Sequence, residues 1–100
     1  MPKIDLEKTE IPTGTLIRLD HGETSIVVIR TNGKVNAFLD RCPHAHWPLS
    51  EGALSGQVLE CLGHGWRFDL STGECLTVTN CALKRLAVTT IRDKLQIEWD

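Results

Sequence analysis

No stretch of this sequence keeps a helical period long enough to anchor a helix, and no apolar run approaches the length of a membrane span. The first absence points to an all-β fold. A basic stripe is missing too: the formal net charge is −2, and Lys84, Arg85, Arg92 and Lys94 are mixed with acidic and apolar neighbours, so no nucleic-acid partner is expected. The start of the chain, Met1-Pro2-Lys3-Ile4-Asp5-Leu6-Glu7, is charged where an export signal needs an apolar core. With no membrane span either, a cytoplasmic location and no membrane partner are expected. In that reducing compartment the four cysteines are not expected to form disulfides, and their mixture with histidines suggests metal. Repeats, linkers and low-complexity segments are likewise lacking. What remains is 100 residues, 41% hydrophobic and 24% charged, a balance that suits one folded domain over residues 1–100 and argues against disorder.

Short apolar runs punctuated by turn residues fill the chain. Leu16-Ile17-Arg18-Leu19 leads through Asp20-His21-Gly22-Glu23 into Ser25-Ile26-Val27-Val28-Ile29, a run rich in β-branched residues that reads as the second arm of a hairpin. Asn32-Gly33 is the strongest hairpin signal and joins that arm to Val35-Asn36-Ala37-Phe38-Leu39, where Val35, Ala37 and Leu39 share a face. A three-stranded meander follows. Near the C-terminus Arg92-Asp93-Lys94 turns between Leu86–Ile91 and a strand whose Leu95, Ile97 and Trp99 alternate with Gln96 and Glu98, so that apolar face should be buried. Between these regions, Arg41 to Gly73 is dense in Gly, Pro, His and Trp and poor in pattern, which reads as loops on a rigid scaffold.

Two half-sites lie in that loop region, Cys42-Pro43-His44 and Cys61-Leu62-Gly63-His64, with sixteen residues between His44 and Cys61. Each offers one thiolate and one imidazole. Zinc could take four such ligands, although its usual pairs are Cys-x-x-Cys and His-x(3–5)-His, and the C-x-H spacing is atypical for a finger.

Together with Pro48-Leu49-Ser50-Glu51-Gly52, Gly65-Trp66-Arg67-Phe68-Asp69 and Ser71-Thr72-Gly73, the half-sites resemble the Rieske [2Fe–2S] family. The resemblance implies an antiparallel β-sandwich with a small cluster-binding subdomain, whose loops span about residues 41–49 and 61–68. It implies one [2Fe–2S] cluster per chain, with Cys42 and Cys61 on one iron and His44 and His64 on the other. Replacing two thiolates by neutral imidazoles removes negative charge from the centre and raises its potential. In respiratory members, Ser and Tyr hydroxyls follow the last histidine and an extra cysteine in each loop forms a disulfide; here those positions are Trp66 and Phe68, and Trp47 and Gly63. Without either device the potential is expected near the low end of the Rieske range, about −150 mV. A further departure is Asn80-Cys81-Ala82, where many members carry a Gly-Pro loop covering the cluster.

The remaining candidates have blander readings. His46 is expected to be an exposed loop histidine, His21 a solvated turn residue, and Cys75 and Cys81 small apolar packing groups. Trp66 is expected in the core and Trp47 at a partly exposed apolar tip. No Gly-rich phosphate loop, nucleophile–base pair or mononuclear iron motif is present, so the chain does not read as an enzyme. By resemblance it is a monomeric ferredoxin that takes single electrons from an NAD(P)H-dependent flavoprotein reductase and passes them to a terminal oxygenase. The alternatives are a small Rieske-type subunit of a nitrite reductase or other redox complex, and a zinc-stabilised β adaptor.

Overall fold

The computed structural model describes residues 2–7, 11–31, 34–41, 47–63, 65–77 and 81–99. Among the described residues nine strands run in chain order: β1 Lys3–Glu7, β2 Leu16–His21, β3 Thr24–Thr31, β4 Lys34–Leu39, β5 Ala53–Ser55, β6 Val58–Glu60, β7 Arg67–Asp69, β8 Ala87–Ile91 and β9 Lys94–Glu98. A single turn of 3₁₀ helix, Leu49–Glu51, precedes β5. They form three antiparallel sheets with strand orders β1-β9-β8, β2-β3-β4 and β5-β6-β7. Among the described residues no helix is long and apolar enough to cross a membrane.

Strand β3 explains the layering. Its residues Ile26 to Ile29 are all buried, because both of its neighbours are strands and both of its faces are covered. Ile26 and Val28 join Ala37, Leu86, Leu95, Ile97 and Trp99 in a core between the β2-β3-β4 and β1-β9-β8 sheets. Val27 and Ile29 point the other way, into a core with Phe38, Leu49, Leu59, Phe68 and Leu70. The middle sheet thus forms a sandwich on one side and supports the short-stranded β5-β6-β7 subdomain on the other, which is the expected architecture. Each of these large apolar side chains contributes about 1.5–3 kcal/mol by leaving water.

Register follows the pattern of the sequence. In the meander, Leu16 faces Ile29 and Ile26 faces Leu39. Gly22, in the left-handed region at φ 62°, supplies the tight β2–β3 turn. Thr31 pairs with Lys34, the register of a two-residue connection, while the Asn32-Gly33 signal itself lies outside the described residues. The β8–β9 turn is closed by Arg92 at φ 58°, an unusual conformation for a residue with a Cβ.

One strand was not foreseen, and two expectations need correction. The charged N-terminal segment is strand β1: Ile4 and Leu6 turn toward the core while Lys3, Asp5 and Glu7 stay exposed, and the strand pairs with β9. The stretch read as patternless loop contains β5, β6 and β7, each three residues long and too short to show a period. His21 ends strand β2 instead of lying in the turn; it is exposed, and its ring meets Trp99 edge-on at 5.4 Å and 86°.

Candidate metal centre

Cys61 follows β6 at the end of the small subdomain. Leu59, two residues earlier, is fully buried and anchors that strand, and Cys61 itself is buried. The Cys61 N–H donates to the Trp66 carbonyl at 2.7 Å, and the Cys61 carbonyl accepts from Gly65 N–H at 3.0 Å. These two bonds tie Gly65 and Trp66 back onto Cys61. Gly65, at φ 71°, takes the left-handed conformation that the turn requires. A buried thiol on a rigid, hydrogen-bonded turn suits a metal ligand, and it belongs to the half-site that continues to His64.

Cys42, His44 and His64, with the neighbouring His46, lie outside the described residues, and among the described residues no three His, Cys, Asp or Glu side chains converge on one point. The segments flanking the first half-site are described. Asp40 is buried just before it, and both carboxylate oxygens are engaged: Ser50 N–H donates to Oδ1 at 2.7 Å and Ser50 Oγ donates to Oδ2 at 2.7 Å. Arg18 Nε lies 3.6 Å from Oδ2. Asp40 and Ser50 thus pin together the two ends of the 41–49 loop. In the sequence Ser50 stands out only as part of a motif, and the one signal of Asp40 is its position directly before Arg41-Cys42.

Trp47 and Gly63 join the two loops. A Cβ built on Gly63 would lie 2.5 Å from Trp47 Nε1, so the indole rests directly on the glycine backbone. The positions that resemblance assigned to an inter-loop disulfide are therefore occupied by a van der Waals contact that only a residue without a side chain permits. Trp47 remains exposed, as expected. Trp66 is half-buried against the core rather than inside it, and Phe68 is fully buried opposite Leu59. Neither offers a hydroxyl.

After β7 the chain reverses through Asp69 to Gly73. Asp69 Oδ1 accepts from Ser71 Oγ at 2.6 Å and from Ser71 N–H at 2.9 Å. The Ser71 hydroxyl first, and its amide second, hold the Asp69 carboxyl below the usual carboxylate range. Arg67 and Glu60 form an ion pair at 3.2 Å across β6 and β7, exposed on both sides and so worth little. Cys75 and Cys81 are half-buried against the same core as Phe68, in line with their reading as packing groups.

Residues 2–90 match the model of the Rieske [2Fe–2S] domain. The chain belongs to that family, whose members carry one [2Fe–2S] cluster per domain. It is 34% identical over 79 residues to the ferredoxin component of biphenyl 2,3-dioxygenase from Rhodococcus jostii strain RHA1, covering 79% of this chain and 74% of the relative. It is 33% identical over 73 residues to the biphenyl dioxygenase ferredoxin subunit of Pseudomonas sp. strain KKS102, covering 72% and 67%. Among solved structures, a chain from a complex of reduced oxygenase and oxidised ferredoxin in carbazole 1,9a-dioxygenase superimposes with a TM-score of 0.80 at 28% identity, over 92% of this chain and 96% of that one. The Sphingomonas yanoikuyae B1 ferredoxin shares the fold, with a TM-score of 0.82 over 99% of this chain and 100% of that one at 23% identity.

Proposed function

We propose that Cys42 and Cys61 hold one iron and His44 and His64 the other, in loops 41–49 and 61–68, and that the protein is a one-electron carrier rather than an enzyme. In this reading it accepts electrons from an NAD(P)H-dependent flavoprotein reductase and delivers them to a terminal oxygenase, as a monomer in the cytoplasm. When bound, the cluster supplies the one-electron chemistry. The chain supplies the rest. Cys61 is fixed by its turn, the Asp40–Ser50 clamp fixes the ends of the first loop, and Trp47 on Gly63 ties that loop to the second. This inter-loop contact is the observation that supports the reading most, because Trp47 and Gly63 belong to the two loops whose half-sites are sixteen residues apart in sequence.

The surroundings suit a carrier. Trp66 and Phe68 give no hydroxyl to the site, which supports a potential near the low end of the Rieske range, about −150 mV. Trp47 and Leu62 expose apolar surface on the two loops themselves, and such surface suits a brief docking contact with a redox partner. The biphenyl and carbazole dioxygenase relatives make a ring-hydroxylating oxygenase the first partner to try.

Reconstitution tests this. Cluster-loaded protein should take up one electron per chain and should restore substrate oxidation to a mixture of a biphenyl dioxygenase oxygenase component and its reductase from which the native ferredoxin has been omitted. Reduction by the reductase with no reoxidation by any ring-hydroxylating oxygenase would overturn the assigned partner, and a colourless zinc protein would overturn the carrier itself.

A further inference from the structure

Cys75 and Cys81 are the two cysteines that the proposed ligand set leaves over, and the fold places them opposite each other. Glu74 and Ala82 form an antiparallel bridge. The hydrogen bonds framing it run from Leu83 N–H to the Gly73 carbonyl at 2.8 Å and from Cys75 N–H to the Cys81 carbonyl at 3.0 Å. One step along this ladder, Cys75 faces Cys81 directly. Opposed residues of an antiparallel pair project their side chains to the same side, and at a hydrogen-bonded position their Cα atoms lie about 5.5 Å apart. A disulfide spans Cα separations of about 4.4–6.8 Å. Packing gives an independent sign of the shared face, because both side chains are half-buried against the core that contains Phe38, Phe68 and Leu83. Both are thiols.

The legs of this hairpin are already held. Cys75 bridges to Phe68 of β7. Leu76 N–H donates to the Arg67 carbonyl at 2.7 Å, and Arg67 N–H donates to Thr77 Oγ1 at 3.0 Å. The Leu83–Gly73 bond holds the returning leg. Little backbone movement is therefore needed to join the sulfurs.

We propose that Cys75 and Cys81 form a redox-responsive pair, closed into an intramolecular disulfide by a low-molecular-weight disulfide of the glutathione type. The thiolate of one cysteine attacks the small disulfide, forming a mixed disulfide and releasing one glutathione. The sulfur of the second cysteine then attacks the protein sulfur of that mixed disulfide, forming the Cys75–Cys81 bond and releasing a second glutathione. Two protein thiols are oxidised, one small disulfide is reduced to two thiols, and the two thiol protons leave with the released glutathione. Because the ladder holds both sulfurs on one face, the second step is intramolecular and outruns accumulation of the mixed disulfide. The product ties the two ends of the 76–80 segment covalently beside β7, in the subdomain that carries Cys61.

The test uses the cluster-loaded full chain in oxygen-free glutathione buffers of graded oxidised-to-reduced ratio. Free thiols are then alkylated, the intact mass and peptide map are recorded, and the visible spectrum is followed throughout. The expected product takes up two fewer alkyl groups than the reduced protein and carries no glutathione, contains a linked Cys75–Cys81 peptide, keeps its spectrum and reverts with a thiol reductant. Cys75→Ser and Cys81→Ser should instead carry a single glutathione and no internal link. The wild-type link should form at an oxidised-glutathione level at least about tenfold below the one that half-loads either variant. A stable glutathione adduct on the wild type, a disulfide between two copies, or no reaction until the spectrum bleaches would each overturn the proposal.

Discussion

Replacing Asp40 should loosen the first cluster loop more than any other single change outside the ligands. Its carboxylate accepts two hydrogen bonds from Ser50, both at 2.7 Å, at a site where its own side chain is wholly shielded from water. Hydrogen bonds to a charged group are each worth about 1.5–3 kcal/mol, and removing the acceptor strands two donors on a half-buried serine. The two bonds share one residue and do not add fully, so Asp40→Ala should cost about 2–4 kcal/mol. Arg18 adds little, because at 3.6 Å and 47% exposed its contact is screened. Asp40→Asn keeps one acceptor and should lose about half as much, and Ser50→Ala, which keeps the amide donor, about 1 kcal/mol. The assay is bleaching of the cluster's visible absorbance at fixed temperature in mild denaturant. If the clamp opens before the cluster is lost, 2 kcal/mol corresponds to bleaching about thirtyfold faster. Asp40→Ala bleaching within a factor of about two of the wild type, with an unchanged far-ultraviolet circular dichroism spectrum, would refute the reasoning, because the loop ends would then be held by something else.

Gly63→Ala places a methyl where the Trp47 indole rests; the exposed ring can swing aside, so the stability cost should be about 1 kcal/mol, while bleaching should quicken as the loops part, and an unchanged bleaching rate would show that the contact does not couple them. Arg92→Gly relieves a left-handed residue in the β8–β9 turn and should raise stability by about 0.5–1 kcal/mol in urea unfolding, the net of strain relief and glycine's extra chain entropy; a loss would mean that the Arg92 side chain makes a contact worth more than the strain. The Asp69 carboxyl, lowered by Ser71, should titrate below the ordinary aspartate value of about 3.9, so its contribution to stability is present above that value and lost as pH falls through the lowered one; Ser71→Ala should move the titration upward by nuclear magnetic resonance, and no movement would remove the hydroxyl as the main cause.

What the sequence made legible follows the physics of each element. The meander and the β8–β9 hairpin are long enough for β-branched runs and period-two alternation to show, and their register is the one the patterns imply. Strand β1 is short and its charges mask it, although Ile4 and Leu6 alternate with Lys3, Asp5 and Glu7. Strands β5 to β7 carry three residues each, and their pairing depends on the core beneath Leu59 and Phe68 rather than on local pattern. Of the site, the ligand types and spacings are sequence features, whereas the clamp between Asp40 and Ser50 and the seat of Trp47 on Gly63 exist only once the loops fold back. The same holds for Cys75 and Cys81: six positions apart they match no motif, and the ladder at Glu74 and Ala82 is what sets them face to face.

Pulsed electron paramagnetic resonance of the reduced, cluster-loaded protein, prepared with isotopically labelled histidine, tests the central claim most directly. The Cys42, His44, Cys61, His64 assignment requires couplings to two iron-bound histidine nitrogens, with His46→Ala leaving both in place and His64→Ala abolishing the signal pair. A cluster with no strongly coupled nitrogen, or a colourless protein holding one zinc ion and giving no signal, would contradict it.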